Sequence, residues 1–131
     1  MKKIKILIPI YNDWQSVFKL LENIDNEIAG LQDELSVIIV NDASTEQKPE
    51  FVLNLKNLKS VKIINMKENR VHARCIAAGL KYIYKNEDFD YVIPMDGDGE
   101  DRPEEIKNFI QIAKQSGEKS IVGERIKRSE G

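Results

Sequence analysis

Tyr91-Val92-Ile93-Pro94-Met95-Asp96-Gly97-Asp98-Gly99 is the stretch that decides how this chain is built. Its first five residues are apolar without alternation, which predicts a short strand covered on both faces. Two carboxylates one residue apart then follow, separated by glycine, on a turn at the strand's end. The glycines leave room for a ligand to approach the backbone. Oxygen-only donors of this kind suit Mg²⁺ or Mn²⁺, which keep several waters and share their coordination with substrate phosphates. A metal-diphosphate site at Asp96 and Asp98 is the leading expectation. The plain alternative is a turn in which Asp98 caps a helix near Pro103. A calcium loop read from Asp96 fails, because Asp101 stands where glycine is needed and Lys107 where glutamate is needed.

Outward from this stretch, short apolar runs alternate with longer amphipathic ones. Strands are expected at Lys5–Ile10, Ser36–Val40, Val61–Asn65, Tyr91–Met95 and Ser120–Val122. Helical spacing links Val17, Phe18, Leu20, Leu21, Ile24 and Ile28, with Gly30 as the stop. It also links Ala73, Ile76, Ala77, Leu80, Ile83 and Tyr84, and then Ile106, Phe109, Ile110 and Ala113 between Pro103 and Gly117. A further short helix is expected over Pro49–Leu58. Alternating strands and helices predict one α/β domain, a mostly parallel sheet with helices on both faces. No internal repeat, low-complexity segment or linker interrupts it.

Composition bounds the function. A chain of 131 residues fits one domain with a real core. Hydrophobic residues at 41% and charged residues at 32% describe an ordinary globular protein. A net charge of −2 leaves no electrostatic footprint for nucleic acid. One cysteine, Cys75, excludes an internal disulfide and a cysteine-rich zinc site. The apolar run Ile4 to Ile10 is broken by Lys5 and Pro9 and lacks a cleavage site, so it reads as a strand rather than a signal peptide. No stretch has the apolar length of a membrane span. The basic run Arg125-Ile126-Lys127-Arg128 is too short for a polybasic membrane signal and reads as solvated surface.

In open α/β sheets ligands bind beyond the carboxyl ends of the strands. Polar clusters fall at those ends: Tyr11-Asn12-Asp13, Asn41-Asp42-Ala43-Ser44-Thr45, Lys67-Glu68-Asn69-Arg70 and Asp96-Gly97-Asp98. Carboxylates recurring there suit a metal, a sugar or a base edge. Asp42 can accept from a base N–H or a ribose hydroxyl; its plain alternative is a helix cap or an Asx-turn with Ser44. Asn69, Arg70 and Arg74 lie at the start of a helix, where phosphate is attracted and an arginine fork pairs with it; their alternative is a solvated surface. His72 reads as a capping or packing residue, and Cys75 as a small buried or half-buried packer. Tyr11 and Trp14 can stack on a base or fill the gap between strand and helix.

The blocks just quoted, taken in order, resemble those of the family 2 glycosyltransferases. Ile6-Leu7-Ile8-Pro9-Ile10-Tyr11-Asn12-Asp13 is similar to their opening strand, where Pro-x-Tyr-Asn-Glu is usual. Val40-Asn41-Asp42-Ala43-Ser44 is similar to their Asp-Asp-Gly-Ser, and Asn69 through Leu80 to their third block. Asp96-Gly97-Asp98-Gly99-Glu100-Asp101-Arg102-Pro103-Glu104-Glu105-Ile106 resembles their metal-binding Asp-x-Asp block, with the spacing of the polyprenyl- or dolichol-phosphate sugar transferases. Val122-Gly123-Glu124-Arg125 resembles the Gly-Ser-Arg that closes the nucleotide-binding half.

The resemblance implies a Rossmann-like GT-A fold with a nucleotide-diphosphate sugar across the strand ends. Carried over, Pro9, Tyr11 and Asp13 border the nucleoside, Asp42 contacts the base, Asp96 lies near ribose and metal, and Asp98 ligates Mg²⁺ or Mn²⁺. Several positions depart from the pattern. Asn41 replaces an acid, Asp13 is shorter than glutamate, Val71 and Ala73 stand where glycines are usual, Ala77 where arginine is frequent, and Glu124 replaces serine. In the family the catalytic base and acceptor segment lie well downstream of the closing arginine, and six residues follow Arg125. The expectation is therefore a single nucleotide-sugar-binding domain, residues 1–131, from a longer enzyme, with no catalytic base in this chain. The intact protein would transfer sugar with inversion from a UDP- or GDP-sugar to a polyprenyl phosphate or a glycan, in the cytoplasm or at the cytoplasmic face of a membrane, in cell-envelope polysaccharide or glycolipid synthesis. The competing reading is a receiver-type phospho-acceptor domain, with Asn41-Asp42 and Asp96 as its acids.

Overall fold

The run from Ile4 to Ile10 becomes the middle strand of a five-stranded parallel sheet in a computed structural model that describes residues 2–50, 54–68, 71–95, 103–116 and 120–121. In chain order the elements are β1 (Lys3–Ile10), α1 (Trp14–Glu27), β2 (Glu34–Asn41), β3 (Val61–Asn65), α2 (Val71–Asn86), β4 (Tyr91–Pro94), a 3₁₀ turn (Pro103–Glu105), α3 (Ile106–Ser116) and β5 (Ser120–Ile121). The strands lie side by side as β3-β2-β1-β4-β5. Every described pairing is parallel: Ile10 stands beside Asn41, Asn41 beside Asn65, and Leu7 beside Pro94.

Alternation along β1 explains why the run is apolar yet carries a lysine. Ile4, Ile6, Ile8 and Ile10 face a cluster with Trp14, Val17, Leu21 and Ile24 of α1 and Ile106, Phe109 and Ile110 of α3. Leu7 faces the opposite cluster, with Ile38 and Val40 of β2 and Cys75 and Ile83 of α2. Helices thus cover both faces. Lys5 lies on the α2 side, almost wholly buried, and its ammonium stands 3.4 Å from Glu87. A buried lysine keeps its charge only where a partner replaces water, and Glu87 is that partner.

One correction concerns the segment between β2 and β3. The described residues at either end of Pro49–Leu58, namely 49–50 and 54–58, are not helical, and 51–53 lie outside the described residues. The buried carboxylate of Asp25 takes the backbone N–H groups of Lys56 (3.0 Å), Asn57 (2.7 Å) and Leu58 (2.8 Å). Donors committed to a distant carboxylate are not free to close helical turns. α1 ends at Glu27, with Gly30 at φ +87° just beyond, the left-handed stop expected of glycine. Gly117 and Val122 lie outside the described residues.

The sheet order also separates the two functional readings. A receiver domain belongs to the doubly wound order 2-1-3-4-5, in which the third strand lies beside the first. Here β3 lies beyond β2, and β4 returns to the other side of β1. The receiver reading is overturned. The reversal of direction falls between β1 and β4, and a crevice at the carboxyl ends there is where such sheets bind ligands.

Candidate functional site

Pro9 ends the ladder beside the sheet's reversal. On β1, the Leu7 carbonyl accepts from Met95 N–H (2.8 Å) and the Ile10 carbonyl from Asp42 N–H (2.8 Å), so odd residues face β4 and even residues face β2. Pro9 therefore presents its donor-less nitrogen to the β4 side, and the β1–β4 register ends at Leu7 beside Pro94. Position 9 thus offers no N–H with which to continue the ladder toward β4. Pro9 itself is buried within β1.

On the β2 side the rim is tied shut instead. Asn12 N–H donates to Ser44 Oγ at 2.7 Å, Asn12 Nδ2 donates to Thr45 Oγ1 at 3.2 Å, and Asn12 Oδ1 accepts from Glu46 N–H at 2.8 Å. Trp14 Nε1 donates to the Glu46 carbonyl at 3.3 Å. Asn41 Oδ1 accepts from Ser44 N–H at 3.1 Å and from the Ser44 hydroxyl, and Asn41 Nδ2 donates to Asn65 Oδ1 at 3.0 Å. The Asx-turn considered for Asp42 is made by Asn41. Three residues on this rim, Asn12 (φ 58°), Asp13 (φ 46°) and Ala43 (φ 54°), hold left-handed backbone. Asn and Asp tolerate that region and alanine does not, so Ala43 is strained by roughly 1 kcal/mol; it occupies the place of the usual glycine.

The sequence-predicted residues divide as follows. Tyr11, Asp13 and Asp42 share the carboxyl rim of β1 and β2. Tyr11 is 47% exposed and presents a ring to solvent, whereas Trp14 is buried beside Phe18 at 6.1 Å between ring centres and fills the gap under α1. Asp13 precedes α1 without a side-chain capping bond and is exposed. Asp42 is 4% exposed. Arg74 is exposed in the first turn of α2, next in sequence to Cys75, whose thiol meets Asp42. Burial first, and then the hydrogen bond to Asp42, push that thiol up to about 12, so it is inert as a nucleophile at neutral pH. Asn69, Asp96 and Asp98 lie outside the described residues, and β4 delivers the chain at Met95 to the residue before Asp96. No group of three or more His, Cys, Asp or Glu that could hold a metal occurs among the described residues.

Sequence reasoning did not single out Asn12 or Ser44 as the clamp between the two loops. An asparagine just past a strand is a turn signal, but its partners lie more than thirty residues away. The described residues also include no helix long and apolar enough to cross a membrane. A cavity of about 230 Å³ lined by Glu22, Asp25, Asn26, Asn54 and Leu55 lies near the end of α1, away from this rim.

The profile of the family described as "Glycosyl transferase family 2" matches residues 5–131. Undecaprenyl-phosphate 4-deoxy-4-formamido-L-arabinose transferase of Proteus mirabilis (strain HI4320) is 28% identical over 127 residues, covering 95% of this chain and 37% of that protein. The protein of the same name from Photorhabdus laumondii is 30% identical with the same coverage, and that from Klebsiella pneumoniae (strain 342) is 24% identical over 115 residues, 86% of this chain and 34% of its own length. The chain thus spans little more than a third of these relatives.

Proposed function

The chain belongs to glycosyl transferase family 2, and from that premise we propose that it is the donor-binding part of an enzyme that moves a sugar from a nucleotide diphosphate to a polyprenyl phosphate. The observation that carries this reading is the shared carboxyl rim of β1 and β2, next to the sheet's reversal, where the buried Asp42 and the exposed Tyr11 lie together. A carboxylate there accepts from a base N–H, a ring beside it offers a stacking face, and Arg74 at the start of α2 offers a fork for phosphate. The acceptor class is taken from the relatives, which are named as undecaprenyl-phosphate transferases. A glycan acceptor is the broader form of the same proposal. Transfer from this site is proposed to invert the sugar and to occur at the cytoplasmic face of a membrane.

Asp96 and Asp98 would hold the divalent ion, their all-oxygen donor set suiting Mg²⁺ or Mn²⁺. Such an ion, when bound, stabilises negative charge on a departing diphosphate. The chain's own contributions are orientation and exclusion of water. Asn12 and Asn41 fix the loops that border the nucleoside, and Asp42 reads the base from a nearly dry position. Pro9 and Asp13 border the same slot, and Asn69, outside the described residues, is assigned to the donor phosphate from its place in the third sequence block alone. The base that activates the acceptor is proposed to lie outside this chain.

A thermal-shift panel of UDP, GDP and CDP with Mn²⁺ or Mg²⁺ tests the proposal. One nucleotide is expected to raise the melting temperature in proportion to the logarithm of its concentration, with the rise removed by EDTA and by Asp98→Ala. A flat response to all three nucleotides would overturn it.

A further inference from the structure

We propose that Cys75 is a positioning residue for the donor site: its buried thiol donates a hydrogen bond to the Asp42 carboxylate and fixes the acceptor that meets the nucleotide base. This rests on the donor-binding reading and adds a residue to it.

The geometry follows from two periodicities. Ile38 and Val40 of β2 face the cluster under α2, and alternation puts Asp42 on the same face. On the helix, Gly79 lies against that face so closely that an added Cβ would stand 2.9 Å from Val40 Cγ2 and 2.5 Å from Leu7 Cδ1. α2 is a crossover helix and runs back along the sheet, so one turn toward its start moves toward the carboxyl rim. Four helical residues advance about 6 Å and two strand residues about 6.6 Å. Cys75 therefore meets Asp42 as Gly79 meets Val40. Cys75 is 0% and Asp42 4% exposed. A carboxylate so far from water gains from any donor aimed at it, and loses more when that donor is removed than the bond is worth in water. The thiol keeps its proton across the neutral range, so it is always the donor.

Cys75→Ala removes the donor without adding volume, and Cys75→Ser restores one. Each variant and the parent chain would be titrated calorimetrically with UDP and GDP in Mn²⁺, and with Mn²⁺-pyrophosphate, a probe without a base. Cys75→Ala is expected to weaken the preferred nucleotide by roughly three- to tenfold, Cys75→Ser by less than about twofold, and pyrophosphate not at all. Unchanged nucleotide affinity in Cys75→Ala, or an equal loss for pyrophosphate, overturns the role and leaves Cys75 as packing. Should Cys75→Ala fail to fold, the infrared S–H band decides. It must shift toward the free-thiol position in Asp42→Ala, and a band that does not move overturns the contact. A parent chain that binds neither of these nucleotides nor the CDP of the thermal-shift panel overturns the donor-binding reading, and this role with it.

Discussion

Asn12 holds a left-handed backbone, φ 58°, that costs most L-residues about 1–2 kcal/mol. Its side chain offsets this by bonding Thr45 and Glu46 across the rim. Asn12→Ala loses both the tolerance and the bonds, and is expected to cost about 1–3 kcal/mol in urea denaturation. Asn12→Gly keeps the conformation and should cost less. Equal losses in the two variants would mean that backbone strain plays no part. A polar cluster at the end of β1 was legible in Tyr11-Asn12-Asp13 from residue type alone. Its function as a clamp was not, because Ser44, Thr45 and Glu46 are brought to it only by the parallel pairing of β1 with β2. The same holds for Asp25, whose carboxylate removed a helix expected more than twenty residues downstream.

Among the elements, α2 is placed by what it lacks. Helix propensity favours Gly79→Ala by about 1 kcal/mol. The wholly buried Leu7 and Val40 oppose it, since a Cβ at 2.5 Å from Leu7 Cδ1 forces the core to shift, and overpacking of this kind costs about 1–3 kcal/mol. The packing penalty is expected to win, lowering the melting temperature measured by circular dichroism by ~4 °C. A rise would show that α2 sits less tightly on the sheet than described. The existence of α1, α2 and α3 was legible from periodicity, and their ends from Gly30 and Pro103. The close approach at Gly79 was not, because a glycine inside a helical pattern looks like any other weak position until the opposing strand is known.

At the scale of the molecule, the strands were readable as apolar runs, but their order was not. Local pattern says that β2 and β3 exist; only tertiary packing says that β3 lies outside β2 and that the chain reverses between β1 and β4. The candidate site was legible as polar clusters at strand ends, and its Asp-x-Asp part falls outside the described residues. Acid stability follows from the same architecture. Burial pushes Asp25 up, but the N–H groups of Lys56, Leu58 and Asn57 outweigh it and hold the carboxyl below its ordinary value; Lys114 does the same for buried Asp33, and Lys62 and Lys5 for Glu87. These groups bind protons more weakly folded than unfolded. Their contribution is therefore full above their ordinary values near pH 4 and is lost as pH falls through the lower folded ones. Urea midpoints are expected to stay level from pH 7 to about 5 and to fall below about 4. Asp25→Ala, which strands three backbone donors, should cost on the order of 2–4 kcal/mol and flatten that acid slope; a slope unchanged in the variant would remove Asp25 from the explanation.

The most direct test of the central claim is a titration of the ¹⁵N-labelled chain with the preferred nucleoside diphosphate and Mg²⁺, followed by amide chemical shifts. The donor-site reading predicts that shifts gather at residues 9–13, 41–46 and 74–75, all at the carboxyl rim. Shifts gathered at Asp25, Lys56–Leu58 and Glu87 on the opposite rim, or none at saturating nucleotide, would contradict it.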